Sequence, residues 1–205
     1  MARRFSTGMD TLDRLHDGGI PAGSLLALVA PPDSQSELLL DQLVAQHPAL
    51  YLSTTRPADV VERGLGTAAE NTEVVFLGPD PSPEDLTNAL PHVPENCVVV
   101  LDQPNPLEAA PRRAYVAMLN QLSRRLAETD SIGFFHCTGD RETTPQRGTT
   151  LAAADVVWNL DLRVSTYAIE NRLAVTKFRG GRALREPVKL QLTDDVRVDT
   201  SRDIA

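Results

Sequence analysis

Leu25-Leu26-Ala27-Leu28-Val29-Ala30-Pro31-Pro32-Asp33-Ser34-Gln35-Ser36-Glu37 joins an apolar strand to a helix through a proline turn. Residues 25–29 form an apolar run short enough to be a strand buried on both faces of a sheet, a Pro-Pro turn ends it, and a helix follows. Working outward, four more short apolar runs fall at 50–52, 74–77, 98–101 and 132–135, with helical segments between them. The clearest helix spans about 107–128. Its Tyr115, Met118, Leu119, Leu122 and Leu126 share one face, while Arg112, Arg113, Arg124 and Arg125 lie mostly off it. After residue 151 the pattern changes to extended segments at 156–162, 167–177, 188–192 and 196–198. Alternating strands and helices followed by hairpins predict an α/β fold: a mostly parallel central sheet flanked by helices, with a C-terminal antiparallel β extension. The expected organisation is one domain over 1–205, with a leading segment at 1–24, an α/β core at 25–150 and the C-terminal strands at 151–205.

The strand–turn–helix stretch sits where a phosphate-binding loop of the form G-x-x-x-x-G-K-[ST] would stand. Such a loop needs glycines for close backbone approach, a lysine for charge and a hydroxyl for magnesium. Those four positions read Ala30, Gln35, Ser36 and Glu37. A unit charge about 4 Å from a phosphate contributes roughly 4 kcal/mol at an effective dielectric of about 20. Losing the cation at Ser36 and gaining carboxylates at Asp33 and Glu37 therefore removes about three decades of affinity. Without a ligand the same residues fit a capping box, Ser34-x-x-Glu37, which would satisfy the helix-end N–H groups internally.

Three motifs carry a family resemblance. Phe5-Ser6-Thr7-Gly8-Met9-Asp10-Thr11-Leu12-Asp13, followed by Gly18-Gly19-Ile20-Pro21-Ala22-Gly23-Ser24, resembles the leading segment of RecA-superfamily ATPases of the KaiC and RadA type. Cys97-Val98-Val99-Val100-Leu101-Asp102 is similar to that family's magnesium-site strand, and Val175-Thr176-Lys177-Phe178-Arg179-Gly180-Gly181 to its late basic hairpin. The resemblance implies a RecA-like P-loop NTPase fold. It makes Ala30, Pro31, Pro32, Asp33, Ser34, Gln35, Ser36 and Glu37 a vestigial nucleotide loop and Asp102 a vestigial metal residue. Thr55 and Arg56 replace a glutamate pair that would polarise the attacking water, and neither can act as a carboxylate base. Arg56 is expected to turn toward Glu37 or Asp102. His136 falls at a sensor position, or is a hydrogen-bonded residue of the core edge. Lys177 and Arg179 match a K-x-R pair that reaches a neighbour's terminal phosphate in ring-forming members; otherwise they pair with the chain's own acidic body. The segment 138–150, with Arg141, Arg147 and Gly148, takes the position of a loop that faces the ring centre and DNA, and is read as mobile.

Composition narrows the function. The net charge is -8: residues 1–162 hold 11 basic against 22 acidic side chains, and residues 163–205 hold 9 against 6. An acidic body argues against broad nucleic-acid affinity, which comes largely from neutralising phosphates. Lysine is confined to Lys177 and Lys189 while arginine is plentiful, a usage expected of a salt-adapted archaeal cytosol and also of high genomic GC content. No apolar stretch reaches membrane-spanning length, and the Met1-Ala2-Arg3-Arg4 start has no apolar segment behind it, so the expected place is the cytoplasm, away from membranes. Cys97 and Cys137 read as reduced packing residues.

The expected function is that of a non-hydrolysing, regulatory or assembly subunit of the RecA/KaiC-like type. No cofactor is expected, ATP and magnesium being admitted only with weak or altered binding. Its expected partner is a RecA/KaiC-like ATPase in a homo- or hetero-oligomer. The alternatives are an active or switch-type ATP-binding protein and a DNA-binding recombination accessory protein.

Overall fold

The computed structural model describes residues 3–139, 144–181, 183–193 and 195–199; Arg141 of the sequence reading lies outside them. The chain begins with a small antiparallel pair, β1 (Arg4–Phe5) and β2 (Ile20–Pro21), on either side of helix α1 (Asp10–Leu15). Asp13 latches this segment by accepting from the Ser6 hydroxyl and from both the backbone N–H and the hydroxyl of Thr7. Gly19 has φ +113°, and a Cβ there would stand 2.2 Å from the Phe5 carbonyl oxygen, so the turn accepts only glycine.

The core then alternates: β3 (Leu25–Ala30), α2 (Glu37–Val44), β4 (Ala49–Ser53), α3 (Ala58–Leu65), β5 (Thr72–Phe76), α4 (Pro83–Ala89), β6 (Val98–Asp102), α5 (Arg112–Glu128) and β7 (Ile132–Thr138). Helix α6 (Arg147–Ala153) leads to β8 (Val156–Val164), β9 (Ile169–Phe178), β10 (Val188–Leu192) and β11 (Val196–Val198). Among the described residues nine strands make one sheet in the order β11-β10-β9-β8-β3-β7-β6-β4-β5. From β8 to β5 every pairing is parallel, and from β8 to β11 every pairing is antiparallel.

This is the α/β architecture expected, with two differences. The expected antiparallel extension began with 156–162, but β8 joins β3 in parallel register because α6 supplies a crossover from β7. The segment 138–150, read as one mobile loop, gives residues 147–150 to that helix.

The parallel strands β3, β4, β6 and β7 are buried along their whole length, as continuous apolar runs require. One face packs Leu39, Leu40 and Leu43 of α2 and Val61 of α3; the other packs Leu86 of α4 and Tyr115, Met118, Leu122 and Leu126 of α5. Cys97 and Cys137 are free and buried. Among the described residues no helix is long and apolar enough to cross a membrane.

Candidate functional site

The parallel strands end together, and adjacency at those ends assembles the site. Asp102 closes β6, in register with Ser53 of β4 on one side and His136 of β7 on the other. Ser36 immediately precedes α2, which follows β3 through the Pro-Pro turn. From these positions Ser36 Oγ lies 2.8 Å from His136 Nε2, and His136 Nδ1 lies 2.8 Å from Asp102 Oδ1. The second carboxylate oxygen, Oδ2, accepts from the Tyr51 hydroxyl at 2.8 Å and from Arg56 Nη2 at 2.9 Å. Arg56 Nη2 also donates to the Tyr51 oxygen at 3.2 Å. Ser36, Asp102 and His136 are each 2 % exposed, whereas the Arg56 side chain is 38 % exposed.

Charge follows from this geometry. Burial opposes the Asp102 carboxylate, but hydrogen bonds from His136, Arg56 and Tyr51 outweigh it and hold the pKa at about 2. Asp102 is therefore ionised at neutral pH and acts as an acceptor, so His136 Nδ1 donates to it while Nε2 shares a hydrogen bond with the Ser36 hydroxyl. Burial and the adjacent Asp102 charge push the Tyr51 phenol well above its ordinary value, which fixes it as a donor. Asp41, on α2 beside the cluster, is pushed up to about 6, by burial first and by Glu37 and Asp102 after the opposing pull of Arg56. The Ser36–His136–Asp102 string has the connectivity of a serine-hydrolase relay. Its hydroxyl is enclosed, however, and its connectivity here links the α2 start to two strand ends.

The loop departs from the expected capping box. Helix α2 starts at Glu37, with Ser36 in helical conformation (φ -66°, ψ -20°) and no side-chain cap. Ser34 Oγ donates instead to the Pro31 carbonyl at 2.7 Å, and Ser34 N reaches the same oxygen at 3.1 Å. The tight turn after Pro31 consumes Ser34 two positions too early for it to cap, and the Ser36 hydroxyl is taken by His136. Of the two carboxylates within its expected reach, Arg56 takes Asp102, and Glu37 stays exposed. Thr55 is exposed beside it. Ala30 is buried, while Pro32, Asp33 and Gln35 face solvent. Both Asp102 oxygens are occupied by protein donors, and among the described residues no group of three or more His, Cys, Asp or Glu is placed to hold a metal ion.

The basic hairpin residues lie elsewhere. Lys177 Nζ donates to the carbonyls of Leu151 and Ala152 at 3.0 and 2.9 Å, where it meets the negative end of α6. Arg179 pairs with Asp155 at 3.0 Å, and Asp155 also accepts from Leu25 N at the start of β3. Arg147, read as a loop cation, is 0 % exposed and donates through Nε to both carboxylate oxygens of Glu108, which is equally buried. The Thr144 and Thr150 hydroxyls also donate to Glu108, and Tyr115 hydrogen-bonds to Thr150.

Tyr51, Asp41 and Glu108 escaped the sequence reading. Tyr51 carried a signal, since it is the polar-tipped residue of an otherwise aliphatic strand and lies two positions before Ser53, on the same face. Asp41 stands one helical turn beyond Glu37. Glu108 had no signal, because its partner comes 39 residues later.

A parallel core whose strand ends converge on one polar cluster, continued by antiparallel strands, defines a protein of the KaiC-like RecA fold. One solved structure of that fold is the KaiC-like protein PH0186 from the hyperthermophilic archaeon Pyrococcus horikoshii OT3, with a TM-score of 0.76 and 16 % identity over 97 % of this chain and 100 % of that one. Residues 4–205 match a family of unknown function, DUF7125, and the chain belongs to it. No curated protein matches the chain in sequence.

Proposed function

We propose that this chain is a pseudo-ATPase: a RecA/KaiC-like domain that neither binds nor hydrolyses ATP and acts as a regulatory or assembly subunit. The observation that carries the reading is the buried Ser36–His136–Asp102 string. At the position where a phosphate-binding lysine would stand, Ser36 gives its polar group to His136, and the acid that would serve magnesium has both oxygens bonded to protein. Binding a triphosphate there would require breaking charge-assisted bonds where, among the described residues, the nearby cation Arg56 is already paired with Asp102, beside Glu37 and Asp41. An active ATPase would further need a base where Thr55 and Arg56 stand, and a DNA-binding accessory role loses Arg147 to the interior.

The partner in this reading is a RecA-type subunit with an intact nucleotide site. If Lys177 and Arg179 serve that partner in trans, they must first leave the α6 carbonyls and Asp155. Calorimetric titration with ATP, with and without magnesium, tests the reading: the expected result is no binding up to about 1 mM, a ceiling near 4 kcal/mol. Micromolar affinity would overturn it.

A further inference from the structure

His16 caps the C-terminal end of α1 and is 0 % exposed. Its ring passes from the leading segment into the body of the protein, where it meets Trp158 of β8 and Phe178 of β9 at centroid distances of 5.9 and 4.7 Å. Trp158 Nε1 donates to His16 Nε2 at 3.2 Å. An indole N–H only donates, so Nε2 is the unprotonated nitrogen and the neutral ring carries its proton on Nδ1. That second nitrogen is buried without a hydrogen-bond partner. A buried polar group left unmatched is costly and calls for an explanation.

Charge on this ring is opposed from several sides. Burial pulls its pKa below the ordinary 6.5, Asp13 and Asp17 pull upward, and Arg4 lowers it again. Those three are the charged groups facing the ring, two from its own segment and Arg4 from β1; β8 and β9 turn aromatic rings to it. Asp13 is already engaged by Ser6 and Thr7, and Arg4 Nη1 donates to the His16 and Gly19 carbonyls. A second proton on the ring would sit on Nε2 and set two donors against each other across 3.2 Å.

The other end of the leading segment is fastened to α2 and the turn after it. Gln42 Nε2 donates to the Gly8 carbonyl at 2.9 Å and His47 Nε2 to the Ser6 carbonyl at 2.8 Å. A carbonyl only accepts, so neither bond needs an unprotonated nitrogen. Just after His16, Asp17 holds φ +53°, a left-handed conformation that a residue with a side chain keeps only where its surroundings enforce it.

We infer that His16 is a proton-operated latch: neutral, it fastens the leading segment to β8 and β9, and protonated, it leaves Trp158 and Phe178 so that the stretch from α1 to β2 opens while the nine-stranded sheet stays folded. The Ser6–Gly8 end remains attached to Gln42 and His47 and serves as the hinge. Phe178 lies between Lys177 and Arg179, so the opening is felt at the strand end that carries both. None of this depends on whether ATP binds.

The test is NMR of the full isotope-labelled chain, titrated from about pH 8 to about pH 4. Trp158 is the only tryptophan, so one indole N–H signal reports on the bond to His16. That signal is expected to shift with a single midpoint below 6.5. With the same midpoint, hydrogen exchange of the amides from Asp10 to Ile20 should accelerate at least about tenfold relative to their intrinsic rates, while β3 and β7 keep their protection. His16→Gln offers the indole an acceptor that does not titrate; it is expected to abolish both changes. Should that variant fail to fold, the wild-type titration decides by itself. An indole midpoint at or above 6.5, the same transition in His16→Gln, or a leading segment that exchanges no sooner than β3 would each overturn the inference.

Discussion

The Asp102 and Glu108 clusters both join a buried acid to an arginine, yet they differ in how they meet water. Arg56 lies 38 % exposed at the rim of the first, so that network has one solvated end. Arg147 and Glu108 are both 0 % exposed; threonine hydroxyls also donate to Glu108, and Arg147 also donates to Asn105 Oδ1 and the Thr138 carbonyl. A buried ion pair depends on its partners because desolvation is already incurred, whereas a half-exposed cation recovers hydration when its partner is lost. The enclosed cluster is therefore the structural fastening between α6 and the segment after β6, whereas the open-ended cluster reaches solvent through Arg56.

The largest expected effect tests the enclosed pair. Arg147→Ala leaves the buried Glu108 without its cation, and should cost about 3–5 kcal/mol in urea unfolding. Replacing both, with Glu108→Leu and Arg147→Met, should recover most of that. A loss under about 1 kcal/mol for Arg147→Ala would erase the distinction between the two clusters.

Asp102→Asn should cost less, about 2–3 kcal/mol, because Arg56 returns to water while His136 and Tyr51 keep a weaker acceptor. The pH dependence supplies a second readout. The carboxyl is at about 2 when folded, against an ordinary 3.8, so its contribution is present above pH 3.8 and lost as pH falls toward 2. Wild type should show this loss in acid unfolding curves, and Asp102→Asn should not.

Asp41 has the opposite sign. Its folded value of about 6 exceeds the ordinary 3.8, so the folded state holds the proton more tightly; the contribution is full below pH 3.8 and lost as pH rises through 6. Asp41→Asn should therefore gain about 1–2 kcal/mol at pH 7 after allowance for solvent screening, and nothing at pH 3. Thermal melts at the two pH values measure the difference.

The smallest effects belong to the hairpin cations. Lys177→Ala should lose about 0.5–1 kcal/mol from the α6 terminus, and Arg179→Ala, at a pair with a 60 % exposed side chain, about 0.5 kcal/mol or less. Unfolding by urea would resolve the first from the second.

The fold was legible because parallel strands write themselves as unbroken apolar runs: 25–29, 98–101 and 132–135 fall inside β3, β6 and β7. The direction of β8 was not legible, since 158–162 alternates like any strand with one covered face and only α6 decides which way it runs. Around the candidate site, the sequence placed Arg56, Asp102 and His136 at strand ends and Ser36 in the loop beside them, and left Arg56 with Glu37 or Asp102 as its expected partner. It did not predict that Ser36 and His136 would bond, because their separation of 100 residues is closed only by sheet order. The capping box misled for a local reason: a proline carbonyl three residues back competes for the same serine hydroxyl, and a sequence pattern carries no record of that competitor.

Strand β3 has a consequence for how the protein is made. Both of its neighbours, β7 and β8, lie roughly a hundred residues or more downstream. At about 5–20 residues per second of synthesis, this fully buried strand waits on the order of ten seconds after leaving the ribosome before either edge is paired. During that interval Leu25-Leu26-Ala27-Leu28-Val29-Ala30 is an apolar segment without charge, open to pairing with other nascent chains. Slowing translation between residues 30 and 132 should therefore lower soluble yield, while slowing it after residue 164 should not.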